Sequence, residues 1–149
     1  MWLYKNEEIK SLEDFPPSTF GFTYRVTHIP TGKMYIGKKV LQFTRKARLT
    51  KKDLAIYEGQ PGRKPTYKQV VKESDWKTYY GSNKELLELL KNEPKENFKR
   101  EILTLASTKK LLTYEETKAL FLYSVLEKPE EYFNDNILGK FYTKDLESR

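Results

Sequence analysis

Tyr24 and Tyr35 stand on either side of a Pro30-Thr31-Gly32 turn, with ten residues between them, and Lys38 and Lys39 follow directly. Two phenols and several cations gathered on a small sheet suit phosphate chemistry. A phenol can move a proton, and a cation can take the charge of a phosphoryl oxygen.

Those side chains need elements to hold them. Phe20 to His28 is rich in aromatic and β-branched residues and predicts a strand. Met34 to Val40 predicts a second, and the short Pro-Thr-Gly turn makes the two an antiparallel hairpin. Ser82 to Lys91 predicts a helix with a Ser82/Glu85 capping box and Leu86, Leu87, Leu89 and Leu90 on its buried face. Phe98 to Leu105 predicts a third strand. Thr113 to Leu126 predicts a central helix, capped by Thr113 and Glu116 and apolar almost all round. Residues 1–19 read as a leader, 41–75 as an irregular segment around the Gln60–Pro65 loop, and 132–149 as a tail folding back on a single domain.

The chain has 149 residues, 28 Lys or Arg against 21 Asp or Glu, and no cysteine. Disulfides and thiolate zinc sites are excluded, and a reducing, cytoplasmic compartment is the expected location. Met1 to Lys10 lacks the apolar run of a signal peptide. No stretch nears the ~20 apolar residues that cross a bilayer. The net charge of +7 is local: residues 38–72 hold eleven Lys or Arg and two acids, for +9, so the rest sums to −2. Such a patch is the footprint of a polyanion partner. Lys39, Arg48, Lys51, Lys52, Arg63, Lys64 and Lys68 are its candidate nucleic-acid contacts. A solvated lysine-rich loop would give the same charge.

The hairpin resembles the GIY-YIG nuclease family, in which a Gly-Ile-Tyr strand precedes Tyr-Ile-Gly by about ten residues. Here Phe22-Thr23-Tyr24 keeps only the tyrosine of the first element, and Tyr35-Ile36-Gly37 is the second intact. Arg45 stands where the family has an arginine, and Arg48 competes for that position. Glu116 and Asn134 match the family's metal-binding glutamate and later asparagine. The block Trp76 to Ser82 resembles a signature of phage-encoded members, a match that implies a bacterial or phage-infected host cell. Tyr80 is the favoured occupant of the family's His-or-Tyr position. The likeness covers residues 20–137. It implies an α+β fold: a small central antiparallel three-stranded sheet flanked by helices, with a long basic insertion after the first hairpin.

The activity implied is metal-dependent hydrolysis of DNA phosphodiesters. Glu116 would hold Mg²⁺ or Mn²⁺, Arg45 would pair with the scissile phosphate, and Asn134 would orient a water or a neighbouring side chain. A tyrosine with its pKa lowered by a nearby ammonium would act as base. Tyr35 beside Lys38 is one choice and Tyr24 the other. Glu116 also precedes Ala119, Leu120 and Tyr123 by three, four and seven residues, which aims it at the buried side, and Glu115 is the alternative carboxylate. Simpler roles compete: cross-strand aromatics for the tyrosines, a capping box for Glu116. The expected partner is duplex DNA, with a homodimer left open and no membrane. A catalytically inactive nucleic-acid-binding module on the same scaffold is the alternative.

Overall fold

A computed structural model describes residues 1–147. The chain divides into two compact units: Met1–Leu41 with Asp75–Arg149, and Gln42–Ser74.

The first unit is built on a mixed five-stranded sheet. Its strands are β1 (Trp2–Tyr4), β2 (Glu7–Ile9), β3 (Gly21–His28), β4 (Lys33–Val40) and β7 (Phe98–Ala106), in the order β2-β1-β7-β3-β4. This corrects the expected three-stranded antiparallel sheet: the antiparallel strands β7-β3-β4 are part of a larger, mixed sheet. The two extra strands come from the segment read as a leader, and β1 runs parallel to β7. Three residues are too few to show an alternating pattern, so β1 and β2 left no periodic signal. Packing holds β1 instead. Trp2 is fully buried, its indole Nε1 donates to the Trp76 carbonyl at 2.7 Å, and its ring meets Phe22 and Tyr24 edge-on.

Opposed residues of an antiparallel pair share a face. The β3–β4 register sets Tyr24 opposite Gly37 and Val26 opposite Tyr35 on one face, and Thr23 opposite Lys38 and Arg25 opposite Ile36 on the other. The first face carries an aromatic core of Trp2, Phe22, Tyr24 and Trp76, packed with Leu86 of α2 (Lys84–Asn92). The second carries Ile36 with Leu120 of α3 (Lys109–Leu122), then Val125 and Tyr132.

Both helices start elsewhere than their capping boxes suggest. Asn83, not Ser82, caps α2 by accepting from the Leu86 N–H. Thr108, not Thr113, caps α3 by accepting from the Leu111 N–H, which places Glu116 in mid-helix. Nor is α3 buried all round: Leu112 and Leu120 are buried, while Tyr114, Phe121 and Leu122 are exposed. His28 is buried, tied by its ring nitrogens to Thr31 at 2.7 Å and Glu93 at 2.8 Å.

The second unit replaces the irregular segment with an antiparallel ribbon, β5 (Gln42–Arg48) and β6 (Tyr67–Glu73), and a short helix α1 (Lys51–Ala55). The ribbon has no apolar face, so no alternation marked it. In the first unit, β8 (Asn136–Ile137), β9 (Phe141–Tyr142) and α4 (Thr143–Glu147) follow the core. No helix among the described residues is long and apolar enough to cross a membrane.

Candidate active site

Tyr24 and Tyr35 lie on the same face of the sheet, with ring centroids 6.2 Å apart. Close packing is possible because the residue opposite Tyr24 is Gly37. A Cβ there would drive into the Tyr24 phenol. Gly81 approaches from the next loop at φ +111, and a Cβ on it would lie 3.1 Å from the Tyr35 ring. Opposite Tyr24 on its other side, β7 carries a bulge: Thr23 pairs with Thr104 and Tyr24 with Ile102. Bulges re-aim side chains next to functional sites.

A third phenol completes the group. Tyr79 meets Tyr24 edge-on at 6.0 Å, and the Lys39 ammonium sits 3.9 Å above the Tyr79 ring. Tyr80, the residue expected here, turns away. Its ring lies under the Arg100 guanidinium at 4.2 Å and against Phe98. Neighbours in extended backbone point to opposite sides, so a Tyr-Tyr pair in the sequence does not say which one faces the site. The buried Arg100 fixes the outcome, its Nη1 donating to the Lys77 carbonyl at 3.0 Å and the Tyr79 carbonyl at 2.8 Å.

Burial pushes the Tyr24 phenol well above its ordinary pKa, with Tyr35 and Tyr79 adding to the rise. Tyr35 is also pushed up, chiefly by burial, against a weaker lowering from its bond to Ser82 Oγ at 3.4 Å. This is opposite to the lowering expected from Lys38. The reason is the period of a strand: residues three apart face opposite ways. Lys38 therefore belongs to the other side of the sheet. There its ammonium donates to Thr113 Oγ1 at 3.0 Å and acts on Glu116.

Glu116 is half-buried, and among the described residues no hydrogen bond reaches its carboxylate. Burial raises its pKa and the Lys38 charge partly counters that rise. Although α3 covers the other face, β4 is the edge strand, so Glu116 and Tyr35 meet around that edge. They line one cleft of about 330 Å³ with Ser82, Asn83, Asn134 and Asp135. Glu115 does not line it.

Asn134 is 8% exposed and clamps the outer edge of β4. Its Nδ2 donates to the Ile36 carbonyl at 2.9 Å, and its Oδ1 accepts from the Ile36 N–H at 3.0 Å. Met34 and Phe133 continue that pairing through the backbone at 2.7 Å. The side chain thus holds the Tyr-Ile-Gly strand rather than pointing free into the cleft. Asn134→Ala is expected to cost about 2 kcal/mol in urea unfolding, since it strands two buried backbone groups.

The remaining candidates lie elsewhere or are already engaged. Lys39 is an ion-pair partner of Asp75 at 2.5 Å. Arg45, Arg48, Lys51, Lys52, Arg63 and Lys64 are exposed in the second unit. Lys68 of that unit pairs with Asp53 at 2.7 Å and holds its carboxyl down to about 2. Tyr79 was the less favoured tyrosine of the Trp76 to Ser82 block, and Gly81, Asn83 and Asp135 were missed by sequence reasoning, although Gly81 and Asn83 lie in or beside that block.

The donor set suits a hard cation held by few protein ligands. Glu116 is a carboxylate in a roomy, polar cleft with Asp135 beside it. Among the described residues no three His, Cys, Asp or Glu cluster as a closed metal cage. Mg²⁺ commonly binds through one or two carboxylates and keeps several waters. Residues 2–137 match the family model SegE_GIY-YIG, described as "Putative endonuclease segE, GIY-YIG domain". No curated protein and no solved structure matches the chain.

Proposed function

The chain belongs to the GIY-YIG endonuclease family, and on that footing we propose that it hydrolyses DNA phosphodiesters with the help of a divalent cation held at Glu116. One observation carries the reading. A cleft-facing phenol and a half-buried carboxylate with no hydrogen-bond partner among the described residues meet around the β4 edge.

The roles follow from exposure. Tyr35 lines the cleft and Tyr24 is 1% exposed, so Tyr35 handles the proton of the attacking water. Tyr24 and Tyr79 support it from beneath. Lys38 helps keep Glu116 ionised, and Asn134 keeps the Tyr35 strand in place. Mg²⁺ or Mn²⁺ bound at Glu116 would neutralise charge on the departing 3′ oxygen. Arg45, Lys51, Lys52, Arg63 and Lys64 of residues 42–74, an insertion between β4 and the Trp76 block, contact substrate phosphates. Such binding weakens steeply with salt.

A phenol whose pKa is raised is a poor base at neutral pH, and its reactive form grows with pH. Purified protein with Mg²⁺ or Mn²⁺ is expected to nick or linearise supercoiled plasmid, and excess EDTA stops it. The single-turnover rate rises about tenfold per pH unit from pH 7 to 9. A rate flat over that window would remove Tyr35 from the proton-transfer role. DNA binding with no metal-dependent turnover would favour an inactive binding module.

A further inference from the structure

Residues 42–74 form a compact unit of their own around the β5–β6 ribbon. Its register sorts the side chains by face. Phe43 opposite Lys72, Arg45 opposite Val70 and Ala47 opposite Lys68 occupy one. Gln42 opposite Glu73, Thr44 opposite Val71, Lys46 opposite Gln69 and Arg48 opposite Tyr67 occupy the other. On the first, Ala47 and Val70 are half-buried and Lys68 is paired to Asp53 of α1, while Phe43, Arg45 and Lys72 are exposed. On the second, all eight residues are exposed, Val71 at 63% and Tyr67 at 53%.

An uncovered two-stranded ribbon is marginal in water by itself, so a face this open calls for a partner. Its chemistry narrows the choice. Lys46 and Arg48 are donors of the kind that meet guanine O6 and N7, and the Gln69 amide can pair with adenine N6 and N7. The methyl groups of Thr44 and Val71 suit the thymine methyl. The unit carries nine Lys or Arg against three acids, a net +6, which complements a polyanion. The exposed Lys51, Lys52, Arg63 and Lys64 are placed in sequence between the two strands. Seven-residue strands run roughly 24 Å, and the B-form major groove, about 12 Å wide, admits a two-stranded ribbon.

We propose that the Thr44, Lys46, Arg48, Tyr67, Gln69 and Val71 face reads base edges in the major groove of duplex DNA. Site selection then resides in the ribbon rather than in the cleft. The inference rests on the nuclease reading only in taking duplex DNA as the partner, so its test measures binding without cleavage.

The full chain carrying Glu116→Gln, in EDTA, is selected against a randomised DNA duplex library and the bound pool is sequenced. A motif of about three to four base pairs is expected. Arg48→Ala and Gln69→Ala should each relax one position by about tenfold or more, with affinity for unrelated duplex nearly unchanged. Gln69→Glu should shift one position toward cytosine, whose N4 amine a carboxylate accepts. A ribbon that had merely unfolded could not produce that shift. Absence of any motif, a motif unchanged in all three variants, or equal affinity for duplex RNA, whose major groove is too narrow, would each overturn the proposal. A ribbon-dependent motif from a wild-type protein that never cleaves supports this inference and removes the nuclease reading.

Discussion

Glu116→Gln is expected to lower metal-dependent DNA cleavage by about 10³-fold or more while leaving duplex binding intact. Glutamine keeps the shape and removes the charge that would hold the cation. The same substitution has a second readout that needs no substrate. Burial raises the Glu116 pKa in the folded protein, and Lys38 only partly offsets this. The folded chain therefore binds this proton more tightly than the unfolded chain, where a glutamate titrates at about 4.3. The stability linked to the protonated form is fully present below about pH 4 and is lost as the pH rises through the raised pKa. Without its cation, wild type carries that loss at pH 7 and Glu116→Gln does not. The variant should melt a few degrees higher at pH 7 and level with wild type at pH 4. A carboxylate placed for ordinary helix stability would show neither the pH-dependent gain in melting temperature nor the loss of cleavage.

Gly37→Ala is expected to destabilise the protein by about 3 kcal/mol, the upper range for overpacking a core. The Tyr24 phenol lies directly over the Gly37 Cα, and a Cβ would sit 2.6 Å from the Tyr24 Cζ. The ring cannot retreat easily, because Trp2, Phe22, Tyr35 and Tyr79 all pack on it. Gly32→Ala is the control. That glycine has φ +74 with nothing near its missing Cβ, so only backbone strain remains, about 1 kcal/mol. Urea unfolding of both variants separates the two causes. Equal losses would mean that backbone conformation, not the phenol contact, explains the glycine of Tyr-Ile-Gly.

The hairpin was legible because its signals are local: β-branched and aromatic runs, a Pro-Thr-Gly turn, and two tyrosines at a spacing that puts both on one face. The carboxylate was legible because helix periodicity aimed Glu116 at the buried side. That direction survived a start of α3 several residues earlier than its Thr113 capping box implied, since Thr108 offers the same cap chemistry. What failed depends on tertiary context. Lys38 is close to Tyr35 in sequence, yet strand alternation sends it to the opposite face, where it acts on Glu116. Tyr79 and Tyr80 are chemically alike, and only Arg100 stacked on Tyr80 tells them apart. The role of Asn134 depends on β4 being an edge strand, which became visible only once β1 and β2 were found on the other side of the sheet. The ribbon was hidden because polar strands carry no alternation.

The proposed function stands on the dependence of cleavage on the Glu116 carboxylate at the β4 edge. It is tested most directly by single-turnover cleavage of supercoiled plasmid in Mg²⁺, with wild type and Glu116→Gln side by side at saturating protein. Wild type is expected to give nicked or linear product and the variant none above background, with equal DNA retention on a gel. Cleavage by Glu116→Gln at the wild-type rate would contradict it.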